Sequence, residues 1–521
     1  LGVALPADVP AALAVAAAEP LRDLLMRHAR THGPFTAAGL AARYGLGAAT
    51  IEPVLAARVA AGELVLGEFR PGGGDLEWLL ADHLRTLRGR SLARVRRQIA
   101  PVPIAAYVRF VHAWHGVAHR RAGLDAVLDA IEKLDGLPVL ASQLEDELLP
   151  ARVVDYAPSM LDTLAAAGEV VWRGVAAVGE RDGRIVVALA DRAGRLADPE
   201  AFAAAEVDAG ELGARVLAAL RGRGALFFGE LRAAIPIFPG DLLRALWTLV
   251  WAGLVSNDSF RPLRELGADA SAPPRRGSRG RMAVAAFRSR RADAIAAEGR
   301  WSAVPAPSAS ATDRHHALVQ QWLHRHGVVT RDSATAEGGF AAAYPVLRAL
   351  EDSGQLVRGH FVADLAAMQF ATRGAVELLR SHARPRRPPP VVTIGAADVA
   401  SPFGLSVPWP GGGDGEPKPR RVVGATVISV DGAATAWLSP DLAQVRTWMP
   451  DDDDARAAVA EPTAVEIARA VRAARTAGEP ATLERIDGVP ATAHPLTRWL
   501  ITAGLAARGD TLVMTREWHA R

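Results

Sequence analysis

Hydrophobic and polar positions repeat four times along the chain in one pattern. In each repeat, a Leu- and Ala-rich stretch with helical spacing stops at a glycine and continues into a short apolar run. The four glycines fall in the segments 60–64, 166–170, 251–255 and 352–356. A helix that ends at glycine and leads into a strand is typical of the third helix of a winged helix where it enters the wing. The repetition therefore predicts a tandem array of winged-helix domains.

The spacing of these repeats sets the predicted domain boundaries. Residues 81–122 are expected to form an arginine-rich helical connector or a partial winged helix, and residues 265–311, rich in Pro, Ser, Gly, Ala and Arg, have the composition of a linker. In the first domain, the wing tip is predicted at 71–74. Winged helices are expected over the ranges 1–80, 123–195, 205–264 and 312–386.

The pattern changes at residue 391, where short apolar runs with β-spacing replace the helical repeats. Strands are predicted at 421–430, 436–438, 481–486 and 511–515, with helices at 461–477 and 494–507. Asp-Gly pairs at 431–432 and 487–488 mark turns. The chain is therefore predicted to have an α+β fold, in which the winged-helix array is followed by a β-rich, barrel-like domain over 391–521.

Composition narrows the class of protein. A chain of 521 residues with 50% hydrophobic and 22% charged residues is expected to fold into several globular domains. The absence of cysteine excludes disulfides, Cys-ligated zinc and thiol catalysis, and it fits a reducing cytoplasm. No stretch is long and apolar enough to cross a bilayer, so no membrane partner is expected.

Positive charge is carried almost entirely by arginine, because Lys133 and Lys418 are the two lysines of the chain. The net charge of +3 gives no global basic signature, but the arginines cluster. Such clusters suit contact with nucleic-acid phosphates; the alternative is that they are solvated helix faces or partners of nearby acids. The first cluster comprises Arg85, Arg88, Arg90, Arg94, Arg96 and Arg97, and the second comprises Arg275, Arg276, Arg279, Arg281, Arg288, Arg290 and Arg291.

Trp301 follows the second cluster by ten residues. An indole at this position is able to stack on an unpaired base. The alternative is that Trp301 fills an interface between two modules. We include it among the candidate nucleic-acid-binding residues.

The predicted third helices, at 48–61, 158–167, 240–252 and 340–353, carry few groups for reading base edges in a major groove. Only the first is a plausible reader, with Thr50 and Arg58. We expect most of the others to pack against neighbouring modules. Trp247 and Trp251, if they lie on module surfaces, are compatible with self-association into a homo-oligomer.

No catalytic or metal-binding residue can be selected from the sequence. His112, His115 and His119 form a His-x-x-His-x-x-x-His pattern, but Gly116 interrupts the helix and no carboxylate completes a zinc site. We expect surface or packing histidines and no metal. A Gly-x-Ser-x-Gly nucleophile elbow is absent.

Several short phrases in fixed order carry a family resemblance. They are Gly-Glu-Phe-Arg-Pro-Gly-Gly at 67–73, Gly-Arg-Trp-Ser at 299–302, Gly-His-Phe-Val at 359–362 and Ser-Pro-Phe-Gly at 401–404. Over residues 65–435 the chain resembles the C-terminal region of the Lhr (large helicase-related) DNA repair helicases of bacteria. This resemblance implies binding of single-stranded or duplex DNA, and partnership with an N-terminal, ATP-dependent 3′–5′ helicase core of the same polypeptide.

The helicase motor of that family has no counterpart in this sequence. A Walker A loop requires a Gly-x-x-x-x-Gly-Lys-Ser/Thr pattern, and neither lysine lies in one. We therefore expect no ATP and no other cofactor in this chain. The family's C-terminal region also resembles AlkZ-type winged-helix DNA glycosylases, whose Gln-x-Gln signature is missing here. Only Gln320-Gln321 is present.

Three functions remain open. The first is a nucleic-acid-binding and assembly region of an Lhr-type helicase, cytoplasmic and associated with the nucleoid. The second is a DNA glycosylase that removes damaged or uracil bases, which requires a carboxylate or amide beside a base pocket. The third is a structural oligomerisation module without DNA contact.

Overall fold

The computed structural model of the protein describes residues 9, 17–70, 75–98, 100–268, 298–365, 367–411, 418–478 and 481–514, and the side chains of 92–98 and 268 are outside this description. The chain divides into two compact units. One comprises Leu1–Ala100 with Ala349–Val357, and the other comprises Pro101–Arg348 with Arg358–Arg521.

The first unit begins with a winged helix. Three helices enclose buried Leu25, Leu40 and Ile51, and a two-stranded antiparallel wing follows. The buried Glu77 carboxylate accepts the backbone N–H groups of Phe69 and Arg70 and so fixes the strand ends. The predicted wing tip, 71–74, lies outside the described residues. The elements are α1 (Pro20–Thr31), α2 (Ala37–Tyr44), α3 (Ala48–Ala60), β1 (Leu64–Gly67), β2 (Glu77–Leu80) and α4 (Ala81–Gln98).

The second unit opens with a buried helix and a second winged helix. The apolar residues Val127, Ile131 and Leu134 recur at helical spacing and bury one face of its first helix. Its sheet has the strand order β3-β5-β4. The elements are α5 (Ile104–Trp114), α6 (Leu124–Leu134), β3 (Val139–Leu140), α7 (Ala141–Gln143) with a π-turn at Leu144–Leu148, α8 (Pro158–Ala166), β4 (Val170–Val178) and β5 (Asp182–Leu189).

A third winged helix follows, with the strand order β6-β8-β7. Its last strand pairs Trp301 with both Leu226 and Asn257. The segment predicted as a linker, 265–311, thus begins in a helix and contains the strand that completes this sheet. The elements are α9 (Pro199–Asp208), α10 (Gly210–Arg223), β6 (Leu226–Phe227), α11 (Phe228–Ala234), α12 (Pro239–Trp251), β7 (Val255–Asn257), α13 (Arg261–Ala268) and β8 (Arg300–Ala303).

Among the described residues, no single helix is long and apolar enough to span a membrane. Only the pair α11 and α12, bent by 111° between the two helices, reaches that length and hydropathy when counted together.

The next elements again follow the winged-helix order. Side-chain caps start three of the helices, because Ser310, Thr330 and Thr372 each accept a backbone N–H three residues later. The elements are α14 (Ala311–His326), β9 (Val328–Val329), α15 (Arg331–Glu337), α16 (Phe340–Asp352), β10 (Val357–Gly359), β11 (Gln369–Ala371) and α17 (Arg373–Ser381).

The C-terminal region is built on a six-stranded sheet of order β12-β13-β14-β15-β16-β17, covered by a long helix that buries Ala464, Ile467 and Val471. The described strands run from one edge to the other without closing, so the predicted β-rich region is present but its barrel is not. The elements are β12 (Val391–Gly395), β13 (Thr426–Val430), β14 (Ala433–Leu438), β15 (Gln444–Thr447), α18 (Asp453–Thr476), β16 (Arg485–Ile486), β17 (Val489–Pro490), α19 (Thr497–Thr502), β18 (Leu505–Arg508) and β19 (Thr511–Met514).

Both predicted Asp-Gly turns are present in this region. Asp431 and Gly432 have φ of 48° and 83°, and Asp487 and Gly488 have φ of 50° and 81°. Two successive positive φ angles are what a tight hairpin turn requires. A side chain at Gly432 would lie 2.1 Å from the carbonyl oxygen of Ala105, so this turn also packs directly against α5.

Candidate functional site

The first arginine cluster lies on α4, directly after the first wing. Arg85, Arg88 and Arg90 are exposed. Arg85 Nη2 is 2.5 Å from Asp82 Oδ1, but both side chains are about 70% exposed, so water and salt weaken this pair. Arg88 and Arg90 form no ion pair within the described part of the chain. Their guanidinium groups are therefore available to phosphates.

The rest of the predicted cationic surface lies beyond what the structure describes. Arg94, Arg96 and Arg97 belong to α4, but their side chains are outside the described set. The whole second cluster is also outside the described residues: Arg275, Arg276, Arg279, Arg281, Arg288, Arg290 and Arg291.

Trp301 is a core residue of the third winged helix. Its side chain has no exposed surface, and its ring meets Trp247 edge-on at a centroid distance of 5.9 Å. Stacking on an unpaired base requires an accessible ring face, so in this conformation Trp301 is unable to stack on a base. Its ring contact with Trp247 and its strand pairing with Leu226 and Asn257 lie within the third winged helix, and the buried cluster that contains Trp301 extends into the second.

The third helix of the third winged helix packs against the preceding module. A Cβ added at Gly174 in β4 would lie 2.1 Å from the carbonyl oxygen of Val250, and one at Gly183 in β5 would lie 2.3 Å from the Trp251 ring. This close contact covers one face of α12. Its exposed positions are Arg244 and Thr248, and Arg244 is paired with Asp241. Trp247 is buried and Trp251 is half-buried against β5, so neither side chain supports the suggested self-association surface.

The third helices of the two preceding modules are also poor groove readers. On α8, Asp162 is bound by Arg264, with Nη1 2.8 Å from Oδ2. On α3, Arg58 is half-buried and paired with Glu63 at 3.3 Å. The exposed positions of α3 are Ala49, Thr50, Glu52, Pro53, Ala56, Ala57 and Ala60, none of them a cation. Phosphate contact through α4 is therefore better supported than base reading.

The histidine pattern after residue 111 does not form a metal site. His112 and His115 are buried and His119 is exposed, because the helix ends before Gly116, which has φ of 72°. Burial lowers the pKa of His112 to about 4, so the ring is neutral at physiological pH. The described residues contain no group of three His, Asp or Glu side chains placed to hold a metal ion.

A cavity of about 420 Å³ lies between α6 and α14 and contains the carboxyl group of Asp135. This side chain is 9% exposed, and its nearest cation is Arg192, with Nη1 4.0 Å from Oδ2. Arg192 is engaged more closely by Glu132, at 2.7 Å. The cavity is also lined by Arg195, Asp313, His316, Gln320, Gln321 and His324.

The local backbone explains why Asp135 faces this cavity. Asp135 is the C-cap of α6, and Gly136 follows with φ of 73°. A side chain at Gly136 would lie 2.3 Å from Gln321 Nε2, so α14 approaches the turn closely. The buried guanidinium of Arg325, also on α14, donates hydrogen bonds to the carbonyl oxygens of Lys133 and Asp135.

Burial raises the pKa of Asp135 to about 6, although Arg192 and Arg325 oppose the shift. A carboxyl group that titrates near neutrality is able both to donate and to accept a proton at physiological pH. The adjacent amides of Gln320 and Gln321 offer hydrogen bonds of the kind that recognise a base edge. This cavity is thus the described site best suited to acid–base chemistry.

In the sequence, Gln320 and Gln321 stand out only as a pair that does not match the Gln-x-Gln signature, and nothing points to Asp135. An aspartate followed by glycine at the end of a helix is a common helix stop. What distinguishes Asp135 is its burial against α14, a helix almost 200 residues later in the chain. The residues around Asp135 in the sequence do not indicate this contact.

Comparison with known proteins places two segments in one family. Residues 102–190 and residues 308–391 each match the winged-helix domain of large helicase-related protein, as the third and the fourth such domain respectively.

Two curated relatives match most of the chain. The Lhr helicase/probable uracil glycosylase of Mycolicibacterium smegmatis is 38% identical over 88% of the chain, and the Lhr helicase/uracil glycosylase of Escherichia coli is 30% identical over 87%. In both cases the match covers 31% of the relative, so the chain spans about a third of the length of these relatives.

Among solved structures, the DNA glycosylase AlkZ of Streptomyces sahachiroi aligns over 74% of the chain and the whole of its own length, with a TM-score of 0.39 and 13% identity.

Proposed function

We propose that this chain, whose residues 102–190 and 308–391 are winged-helix domains of the large helicase-related family, is the nucleic-acid-binding and assembly region of a DNA repair helicase. The observation that carries the proposal is the set of exposed arginines on α4, which directly follows a winged helix. A cationic helix surface binds phosphates without regard to sequence. The partner is DNA, single-stranded or duplex.

The motor in this proposal lies elsewhere in a longer polypeptide. The relatives named as helicases are about three times as long as the region they share with this chain. The N-terminal helicase core of the same polypeptide is thus the second proposed partner. Assembly into a homo-oligomer, a cytoplasmic location and association with the nucleoid are further parts of the proposal.

The test of DNA binding is the salt dependence of affinity. Single-stranded and duplex oligonucleotides are titrated with the chain and with a variant in which Arg85, Arg88 and Arg90 are alanine. We expect affinity to fall with salt and the variant to bind more weakly on both substrates. Affinity that does not depend on salt or on these arginines would contradict the proposal. Light scattering of the same samples tests oligomerisation.

The second candidate function is removal of a base from DNA at the Asp135 cavity. The specific observation in its favour is a buried carboxyl group with a raised pKa beside two glutamine side chains. In such a reaction the carboxylate would position water or stabilise an oxocarbenium-like state, while the amides would hold the everted base.

Uracil-containing and alkylated oligonucleotides, followed by alkali, test this second function. We expect strand breaks at the modified base with the parent chain and none with Asp135→Asn, which has nearly the same shape but no titratable group. Asp313→Asn, in the wall of the same cavity, is the matched control. Equal breakage by the parent chain and Asp135→Asn would exclude Asp135 as the catalytic group.

A further inference from the structure

A second cavity, of about 380 Å³, lies at the C-terminal end of α5. It is distinct from the cavity that holds Asp135, although Glu132 borders both. The polar and aromatic residues that matter here are Trp114, His115, His119, Arg121, Lys133 and Arg152. None of the functions discussed above uses it.

Two side chains that line this cavity have buried polar atoms without a partner. His115 is 3% exposed, and neither Nδ1 nor Nε2 makes a hydrogen bond within the described residues. Arg152 is also 3% exposed, and its Nε–H is unpartnered in the same way. Buried polar groups are almost always paired with protein, water or a ligand. Unpaired groups at two positions of one cavity therefore indicate that something polar binds there.

Among the cationic groups around His115, Lys133 is the one that favours a negatively charged occupant, since it has no ion pair within the described residues. Burial, together with the neighbouring Arg152, His326, Lys133 and Arg325, holds the pKa of His115 well below its usual range. Three of these neighbours have a carboxylate partner, because Arg152 is paired with Asp398 and both Arg325 and His326 are paired with Glu337. An imidazole in such surroundings is neutral, and it offers one N–H donor beside the charge of Lys133.

The two acids of the cavity wall are already engaged by arginines. Asp129 is paired with Arg121, and Glu132 lies 2.7 Å from Arg192. Lys133 has no carboxylate within 4 Å among the described residues; its Nζ donates to the carbonyl oxygen of His324 and lies 4.2 Å from the centre of the Trp114 ring. The cavity thus presents N–H donors and a lysine charge that no carboxylate neutralises directly.

We propose that this cavity binds the phosphate group of a phosphomonoester, with His115 and Arg152 as hydrogen-bond donors and Lys133 as the counter-charge. The donors are deeply buried, so only a terminal group that projects from its molecule is able to reach them. A phosphodiester within a continuous strand is excluded by this depth. Free phosphate, a mononucleotide and the phosphorylated end of a DNA strand share this chemistry, and only the last source rests on the proposed DNA-binding function.

The first experiment uses inorganic phosphate and the whole chain. Calorimetric titration is performed with the parent chain, with His115→Phe, which keeps a ring but removes both nitrogens, and with Arg120→Ala. Arg120 is exposed, next to the cavity but not in its wall, and serves as the control. We expect the parent chain and Arg120→Ala to bind phosphate equally well. We expect His115→Phe to bind it at least about tenfold more weakly, because a hydrogen bond to a charged group is lost.

A second measurement keeps the proposal testable if His115→Phe does not fold. In the parent chain, the ring ¹⁵N resonances of His115 are followed as phosphate is added. We expect them to move in a saturable way. Unchanged resonances, or no heat at millimolar phosphate, would overturn the proposal.

The source of the phosphate is resolved with oligonucleotides of one sequence that carry a 5′-phosphate, a 3′-phosphate or hydroxyl ends. Tighter binding of one phosphorylated end, lost in His115→Phe, identifies a strand end as the ligand. Phosphate binding without end discrimination supports a free phosphate or mononucleotide. Strong DNA binding with no phosphate binding would refute the proposed role of this cavity and leave the DNA-binding function intact. Phosphate binding without DNA binding would support the cavity and refute the DNA-binding function.

Discussion

Arg152 and Asp398 form a bidentate ion pair in the interior of the protein, with Nη1–Oδ2 and Nη2–Oδ1 distances of 2.9 and 2.7 Å. The two side chains are 2% and 3% exposed. Arg152 belongs to the second winged helix, and Asp398 follows the first strand of the C-terminal sheet. This pair ties the second winged helix to the C-terminal sheet, which comes after two further winged helices in the chain.

Removing one member of this pair is predicted to destabilise the protein strongly. Asp398→Asn leaves a buried guanidinium without its counter-charge, and we expect a loss of about 3–5 kcal/mol in the free energy of unfolding. The matched control is Asp129→Asn, which breaks the pair with Arg121 where the side chains are 65% and 57% exposed. It should cost about 1 kcal/mol or less. Urea unfolding measures both, and equal losses would contradict the prediction.

The contact between β4 and α12 predicts that Gly174 tolerates no side chain. A Cβ there would meet the backbone carbonyl of Val250 at 2.1 Å, and backbone cannot rotate away. We expect Gly174→Ala to lower the free energy of unfolding by about 1–3 kcal/mol or more. Gly222→Ala, in α10 with open space around it, is the control and should be neutral or stabilising by about 1 kcal/mol. Thermal unfolding of both variants would settle the comparison.

The raised pKa of Asp135 predicts a pH-dependent cost to stability. Between the ordinary carboxyl value of 3.8 and about 6, the unfolded chain loses the Asp135 proton while the folded chain keeps it, so this group makes stability fall as pH rises. Above pH 6 the cost is constant, about 3 kcal/mol from a shift of roughly two pKa units.

Asp135→Asn removes that cost. We therefore expect the variant to be more stable than the parent at pH 7 and equally stable near pH 4, although it loses any activity that needs the carboxyl group. Urea unfolding across this pH range is the measurement. A stability difference that is independent of pH would show that the carboxyl group titrates normally.

The exposed arginines of α4 predict a defined salt dependence. Each phosphate contact contributes about 0.9 to the slope of log affinity against log salt for duplex DNA. Replacing Arg85, Arg88 and Arg90 with alanine should lower that slope by up to about 3. The same number of exposed arginines on other elements, Arg223, Arg232 and Arg508, provides a charge-matched control that should leave the slope unchanged. A common change in both variants would indicate a non-specific effect of net charge.

The winged helices could be predicted because each third helix ends at a glycine. The predicted range 48–61 differs from α3 by one residue at one end, and the predicted range 240–252 differs from α12 by one residue at each end. Gly62 and Gly253 have φ of 74° and 75°, a conformation that stops a helix and that other residues avoid. A helix end set by the backbone preference of one glycine can therefore be predicted from the sequence.

Features that depend on distant pairing could not be predicted. Strand β8 has four residues inside a segment with the composition of a linker, and it exists because Trp301 pairs with Leu226 and Asn257. The barrel-like arrangement expected after residue 391 is an open sheet in the described residues, because strand number and spacing do not specify how the edges of a sheet meet. The cavity around Asp135 likewise depends on α14 packing against the end of α6. The spacing of apolar residues along the sequence does not predict this contact.

The second and third winged helices share one hydrophobic core. Val127, Trp172, Leu246 and Trp301 belong to a single buried cluster that crosses from one to the other. Two winged helices with a common hydrophobic core have no hinge between them, so we expect them to unfold in one step and to move as one rigid body. A displacement of one winged helix of this pair should therefore be passed on directly to the other.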